Sequence, residues 1–456
     1  MPEKVIFYLL VLIQLIPLWT YTFFPSQDGP VHLANVKILY ELLFGENTLF
    51  HEFFRLNKSE ISNWLSHLIL MSLDAIFPTL AAEKIYLSGY IVALPLAVRY
   101  VLNTINHENQ FLSFLIFPFT YNYLFHMGFY SYIYSLIFFF LLIGFWLKNF
   151  DNFSLIKIMT LSLLSLLTYL FHVISWVMAI FVIGIVALFV TSKRGITDQK
   201  FNFPALMNEV RKILLPSFVA FLPSAMFILA FLSKQGTRRG YYLSIWERIQ
   251  NIIGLDVLHS FSSYERMLSI GVLSLFLALF LTAVFWKFRQ KEFEVRDSFL
   301  VVFLGCLLIY FIAPDWMSGG AFINPRMALY PFFVLILWYA TMEYSKRIRK
   351  LVVVISFVIS IGFLWIHSHA YAMANKDISK YIRAFEYIQD KTVLLPLFYK
   401  RVISDAAKVE SYLHIGSYIT LQKEVVSFDN YQAKKGHFPL IYKKNMSPTR
   451  FYPVMR

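Results

Sequence analysis

The sequence predicts an all-α polytopic membrane protein with about 11 to 13 transmembrane helices, interfacial helices in its first outer loop and a small extracytoplasmic α/β region at its C-terminus. Three observations lead to this fold class. The 456 residues are 58% hydrophobic, and only 15% are charged, against about 25% in ordinary soluble domains. The mean hydropathy is +0.60. Several apolar runs reach about 20 residues, the length that a helix needs to cross a bilayer.

The first predicted span is Val5–Phe24, preceded by Lys4. No small-residue cleavage site follows it, so we expect a retained span with its N-terminus in the cytoplasm rather than a removed signal peptide. The segment Ile61–Phe77 is apolar but contains polar residues. The predicted orientation requires either that it is an interfacial or re-entrant helix or that a further span lies elsewhere in the chain. Ten further spans are predicted at Lys84–Leu102, Phe111–Phe125, Phe129–Leu147, Leu155–Phe171, Val173–Thr191, Ile213–Leu232, Leu268–Trp286, Ser298–Ala313, Met327–Met342 and Leu351–Ile366.

Basic clusters set the predicted orientation. They occupy alternate loops and therefore share one face, which the positive-inside rule assigns to the cytoplasm. The C-terminal tail then lies outside. The clusters are Lys193/Arg194/Arg211/Lys212, Lys287/Arg289/Lys291 and Lys346/Arg347/Arg349/Lys350.

Two regions are not predicted to cross the membrane. Residues 25–60 form the first outer loop, whose apolar residues recur with helical spacing, which indicates helices on the membrane surface. Residues 371–456 mix helical and strand-like patterns and are predicted to be an extracytoplasmic domain that follows a transmembrane domain over 1–370. The only cysteine, Cys306, lies in an apolar run, which excludes a disulfide framework and a thiolate metal site.

The net charge of +14 would favour nucleic acid as the partner of a soluble protein. In a membrane protein, basic residues instead set the orientation, so no nucleic-acid partner is expected. The sequence contains no Walker loop, no dinucleotide-binding glycine pattern, no zinc spacing and no nucleophile elbow.

Polar residues nevertheless gather on the predicted outer face. Asp28 follows the first span and precedes Gly29 and Pro30, a turn that suits a helix start, and His32 comes one turn later. Asp28 is therefore either a helix N-cap or a functional carboxylate at the membrane surface. His126 and His172 occupy the next two outward turns, where each is either a helix-packing residue or part of a shared cavity.

Two later outer loops add charged residues. Arg238 and Arg239 lie in the loop 233–266, either as lipid-headgroup contacts or as ligands for phosphate. Asp315 begins a loop that contains Gly319 and Gly320 and ends at Arg326, directly before an apolar span. Arg326 is either a snorkelling anchor or a phosphate-binding residue.

This arrangement resembles the GT-C superfamily of integral membrane glycosyltransferases, as an uncharacterised bacterial branch. The resemblance lies in Asp28 in a first outer loop with interfacial helices, in the many short-looped spans, in the late loop ending at Arg326 before Met327-Ala328-Leu329-Tyr330-Pro331, and in the external C-terminal region. It covers most of residues 1–370 as architecture. The two-acid motif that is common in the superfamily is absent, because Gly29 follows Asp28; Glu52 or Asp315 are candidates for the second acid.

The resemblance implies that a sugar moves from a polyprenyl-phosphate donor to an envelope glycan, lipid or protein acceptor at the outer face of the plasma membrane. Asp28 is then the general base, Arg326 with Arg238 or Arg239 binds the donor phosphate, and His32, His126, His172 and Asp315 line the substrate site. Single displacement inverts the anomeric carbon. The resemblance also allows a divalent cation at the site.

Other functions remain open from the sequence. A multi-span transporter or flippase of lipid-linked substrates has a similar span count, although paired halves and midplane carboxylates are its usual features. A non-catalytic envelope-assembly protein and a ligase or polymerase of lipid-linked polysaccharide also fit the pattern.

Overall fold

The computed structural model describes residues 3–58, 64–197, 200–234, 240–290, 297–316, 320–434, 438–443 and 446. Of these residues, 74% are helical and 4% are in strands, and the sheets that they form are small. Within the described residues, seven helices are long and apolar enough to cross a membrane. The protein is therefore an all-α polytopic membrane protein, as the hydropathy predicts.

The α-helices are α1 Glu3–Gln14, α2 Ile16–Thr20, α3 Gly29–Phe44, α4 Thr48–Phe53, α5 Trp64–Asp74, α6 Thr79–Ile105, α7 Phe117–Thr120, α8 Tyr123–His126, α9 Tyr130–Asn149, α10 Leu155–Phe171, α11 Val173–Arg194, α12 Phe203–Glu209, α13 Leu215–Lys234, α14 Ile245–Ile253, α15 Tyr264–Gln290, α16 Ser298–Ile312, α17 Ile323–Met327, α18 Leu329–Tyr339, α19 Lys346–Arg383 and α20 Ile419–Gln422. The strands are β1 Phe54–Leu56, β2 Ile196–Thr197, β3 Lys200–Phe201, β4 Thr392–Leu394, β5 Val425–Ser427 and β6 Leu440–Tyr442.

All eleven predicted spans fall on helical structure, but they differ in length. The seven long helical segments are α1 with α2, α6, α9, α11, α12 with α13, α15 and α19. The apolar helices α10 and α16 have 17 and 15 residues, shorter than the roughly 20 residues of a full span. The predicted span Met327–Met342 is split between α17 and α18.

The predicted span Phe111–Phe125 is not one α-helix. A 3-10 helix over His107–Ile116 is followed by α7 and α8, each of four residues. All but one of residues 111–126 are buried. Irregular backbone is tolerated at membrane depth where protein covers it, and the surrounding bundle provides that cover here.

The helix α5 lies within the segment Ile61–Phe77. It has 11 residues, about 16 Å at 1.5 Å per residue, which is too short to cross a bilayer. It packs between α3 and α6 and buries Ser66, His67 and Leu70.

The ends of several helices meet at a basic face of the bundle. Arg99 near the end of α6 pairs with Glu3 at the start of α1, with a nitrogen–oxygen distance of 2.7 Å. Arg349 in the first turn of α19 pairs with Glu108 at 2.8 Å. The opposite face, which we call the site face, contains Asp28.

The C-terminal region folds together with the first long loop instead of standing apart. β1 pairs antiparallel with β6, so that residues 54–56 face residues 440–442. β4 and β5 form a parallel pair within the C-terminal region. The helix α19 continues past residue 370 to Arg383, so the predicted domain border falls inside a helix. We call residues 29–58 together with the described residues from 384 onward the cap.

The cap has its own hydrophobic core. Aromatic and aliphatic side chains from both of its halves pack against one another, which fixes the C-terminal region against the second half of α3. The buried residues are Ile38, Leu39, Phe50, Phe53, Phe54, Val426, Phe428, Ala433, Leu440 and Tyr442.

Candidate functional site

The start of α3 presents Asp28 at the site face. Pro30 occupies the first turn, where its missing N–H costs nothing. The preceding turn is held against residues 126–128: the Gln27 N–H donates to the His126 carbonyl at 3.0 Å, and the Asp28 N–H to the Met127 carbonyl at 3.2 Å. Gly128 has a φ of +79°, a conformation that favours glycine, and this lets the two backbone segments approach.

The Asp28 carboxylate is 2% exposed and faces the cap. The Tyr431 hydroxyl donates to Oδ2 at 2.6 Å, and His414 Nε2 lies 3.8 Å from Oδ1. The His414 and Tyr431 rings stack, with centroids 5.1 Å apart. Burial lowers the pKa of His414 to about 3, so this imidazole is neutral at pH 7. A neutral histidine and a phenol therefore surround the carboxylate.

His32 lies one turn farther along α3. Its Nε2 is 2.9 Å from the Gly128 carbonyl, and its Nδ1 is 3.3 Å from His67 Nε2. The Gln432 amide lies 3.4 Å from the His32 ring. Burial, followed by the neighbouring His67, lowers the pKa of His32. His32 thus links the turn at Gly128 to the C-terminal part of the cap.

Arg326 approaches the same region from α17. Its guanidinium stacks over the Phe129 ring at 4.6 Å and donates to the Ala321 carbonyl at 2.7 Å. Its buried Nε has no hydrogen-bond partner among the described residues. Burial lowers the pKa of Arg326, opposed first by Tyr132 and then by other groups that include Tyr431. Arg326 and Asp28 therefore both act on the Tyr431 phenol.

Asp315 joins this cluster through the loop before α17. Its Oδ1 accepts from the Asn324 N–H at 3.3 Å. The negative charge of Asp315 also acts on the Arg326 guanidinium. Of the two candidates for a second acid, Asp315 lies in the cluster, whereas Glu52 is exposed on α4.

The other predicted residues have mixed locations. His172 packs edge-to-face on Tyr132 at 5.1 Å, the ring that Arg326 also overlies, and its Nδ1 accepts from the Ile174 N–H as a helix cap. His126 is fully buried with both ring nitrogens occupied, by Ser260 at 2.8 Å and by Tyr371 at 2.7 Å. Its side chain belongs to a packing cluster, although its carbonyl holds the turn. Arg238 and Arg239 lie outside the described residues.

A second hydrogen-bond network holds the turn that precedes α3. The Tyr130 hydroxyl donates to Glu83 Oε1 at 2.5 Å and lies 3.3 Å from the Ser26 hydroxyl, which accepts from the Gly29 N–H. A Cβ on Gly29 would lie 2.2 Å from the Ser26 oxygen and 2.8 Å from Glu83 Oε1. Only glycine fits between these side chains.

Sequence reasoning missed Tyr431, His414, Gln432 and Glu83. The first three are nearly 400 residues from α3, and no local pattern predicts such pairing. The predicted span begins at Lys84, one residue after Glu83, whereas α6 begins at Thr79. A usable signal was the polar run Asp429–Gln432 in an otherwise mixed tail.

The cluster offers a buried carboxylate, a neutral imidazole, a phenol and a guanidinium, which together can accept a proton and bind an anion. Among the described residues, no group of three His, Cys, Asp or Glu side chains is placed to hold a metal ion. No protein-family model and no curated protein matches the chain.

Proposed function

We propose that the protein is a membrane glycosyltransferase of the GT-C type, which moves a sugar from a polyprenyl-phosphate donor to an envelope glycan, lipid or protein acceptor. The observation that carries the proposal is that the Tyr431 hydroxyl donates to the Asp28 carboxylate while the Tyr431 phenol also interacts electrostatically with the buried Arg326 guanidinium. In this proposal, the site face is the outer face of the plasma membrane. The basic face is cytoplasmic, because basic loops are retained there.

The chemistry is a single displacement. The acceptor hydroxyl attacks the anomeric carbon as its proton passes to the Asp28 carboxylate, and the bond from that carbon to the phosphate oxygen breaks with its electron pair leaving on the polyprenyl phosphate. Arg326 stabilises the phosphate charge with planar N–H donors, and its Nε is available for this contact. His32 and His172 line the substrate site, and the Asp315 carboxylate adds a negative charge beside Arg326. The configuration of the anomeric carbon inverts.

Substrate access requires a change in the cap. Asp28 is 2% exposed because Tyr431 and His414 cover it. The acceptor hydroxyl must take the place of the Tyr431 hydroxyl to reach Oδ2. The Tyr431 side chain therefore mimics the acceptor contact in the closed arrangement and must swing away before transfer.

A transporter or flippase is the competing function. The feature that favours it is Glu83, whose carboxyl group is buried in the apolar helix α6. Its partners tie it to the Gly29 turn at the site face, whereas coupling carboxylates of transporters lie near the midplane. The glycosyltransferase is therefore the function that the geometry favours.

The test is transfer by protein reconstituted in vesicles with a panel of polyprenyl-phosphate sugars. Asp28→Asn should lower the rate by about 100-fold or more, the range of a lost general base. Glu52→Gln, an exposed acid on α4, is the matched control and should keep full activity. Near wild-type transfer by Asp28→Asn would refute the proposal. Movement of a labelled lipid across the vesicle by both variants, without transfer, would favour the flippase.

A further inference from the structure

The cap carries a large cleft away from Asp28. Its volume is about 760 Å³, within the range of about 300–1,000 Å³ that is usual for ligand sites. It lies between the end of α3, α4 and the β1–β6 pair. The lining residues are Leu42, His51, Phe54, Arg55, Leu56, Asn57, Lys58, Ile441 and Lys443.

Among the described residues that line this cleft, the charged side chains all have one sign. Arg55, Lys58 and Lys443 are exposed at its rim, and none of the described residues that line it is acidic. No ion pair joins these three cations to a carboxylate within the described part of the chain. Such a rim attracts anions, and Arg and Lys are the residues that bind phosphate.

A second cleft of the cap shows that this is not a general feature of its surface. Its volume is about 400 Å³, and its charges balance. It is lined by three lysines, Lys37, Lys391 and Lys423, and by three acids, Glu41, Asp390 and Glu424. Lys37 and Glu41 pair at 3.4 Å.

The floor of the larger cleft is apolar and held in place. The Phe54 and Tyr442 rings stack behind it at 4.8 Å. The Asn57 N–H donates to the Pro439 carbonyl at 2.7 Å, and the Lys443 N–H to the Phe53 carbonyl at 2.8 Å. The cationic rim therefore stands on a fixed strand pair.

Next to the cleft, α3 exposes apolar side chains although it is not a spanning helix. Phe44 is 70% exposed, Tyr40 41% and Leu43 40%, and the Tyr40 and Phe44 rings contact each other at 5.5 Å. Exposed aromatic and aliphatic residues beside cations are the pattern of a helix that lies in the membrane interface.

We propose that this cleft binds the phosphate headgroup of an anionic membrane lipid, with Arg55 and Lys443 contacting the phosphate and the end of α3 resting in the acyl boundary. Leu42 and Ile441 contact the upper part of the acyl chains. The site is separate from Asp28 and does not depend on the glycosyltransferase proposal.

Native mass spectrometry of the full-length protein in detergent, titrated with phosphatidylglycerol, tests the site. Each basic residue near an anionic lipid contributes about fivefold in affinity, so Arg55→Gln with Lys443→Gln should bind the lipid about 25-fold more weakly. The matched control is Lys37→Gln with Lys391→Gln in the balanced cleft, which should bind as the wild type does. Added salt should weaken the wild type more than the cleft variant.

Three results would overturn the proposal. One is equal phosphatidylglycerol affinity in the wild type and the cleft variant. Another is equal binding of phosphatidylcholine, since its zwitterionic headgroup lacks the net charge. The third is saturable binding of inorganic phosphate that the cleft variant loses while it keeps its phosphatidylglycerol affinity, which would assign the cleft to a soluble phosphate ligand instead.

Discussion

Replacing Gly128 by alanine tests the turn that holds Asp28. Gly128 has a φ of +79°, and a Cβ there would lie 3.0 Å from the Gly29 nitrogen and 3.1 Å from the Asp28 nitrogen. Both are backbone atoms, so no side-chain rotation relieves the contact. A left-handed conformation costs an alanine about 1–2 kcal/mol, and overpacking costs about 1–3 kcal/mol. We therefore expect Gly128→Ala to lose about 2–5 kcal/mol of stability.

Cys306 supplies the assay. It is the only cysteine of the chain and is 1% exposed, so a maleimide dye that fluoresces on reaction reports unfolding on a temperature ramp. Gly184→Ala in α11 is the matched control, because nothing lies within 4 Å of its added Cβ. Alanine there should be neutral or stabilise by up to about 1 kcal/mol.

The two variants separate the contact from a general effect of losing a glycine. Gly128→Ala should unfold at a clearly lower temperature than Gly184→Ala. It should also lose transfer activity in the vesicle assay, because the turn must shift Asp28 to accommodate the new carbon. Equal unfolding temperatures with full transfer activity would show that the turn is not constrained as the contacts indicate.

Two further predictions concern the cap. Tyr431→Phe removes the hydroxyl that donates to Asp28, and it should destabilise the cap by about 1.5–3 kcal/mol, the range for a hydrogen bond to a charged group. Limited proteolysis should therefore cut this variant faster than the wild type. The control is Tyr399→Phe, at a residue that is 99% exposed, which should be cut at the wild-type rate. Burial raises the pKa of Asp429 to about 6. The protonated carboxyl therefore adds about 3 kcal/mol to the free energy of unfolding below about pH 4, and this contribution is lost as the pH rises through 6. Asp429→Asn should remove this slope from the unfolding temperature, and an unchanged slope would contradict the assignment.

The spans were predictable because hydropathy over about 20 residues is a local property. The prediction failed in detail at Phe111–Phe125, where composition indicated an ordinary span and the chain instead forms a 3-10 helix with two short helices. Hydropathy measures whether a segment avoids water. It does not distinguish lipid from protein as the surroundings, and this segment is covered by protein.

The site was predictable only for residues on the first loop and in the late loop. Asp28 stood out through the turn that follows it, and Arg326 through its place before a span. Tyr431 is 403 residues from Asp28, and its role depends on how the C-terminal part of the cap folds back over α3. His126 shows the reverse failure: its position in an outward turn is as predicted, but its ring faces Ser260 and Tyr371. The sequence therefore predicted that His126 lies in this turn, but it did not predict the direction in which the side chain points.

The hydrogen bonds within the cap determine when the site is completed during synthesis of the chain. Asn35 bonds Asn430 at 2.6 Å and Gln432 at 2.8 Å, so the first loop and the last segment of the chain are held by paired amides. These contacts join residues that are almost 400 positions apart in the sequence, so the first loop is synthesised long before its partners. Asp28 therefore acquires its Tyr431 contact only after the last part of the chain has been made. The first loop supplies the carboxylate early in synthesis, and the last part of the chain then covers it.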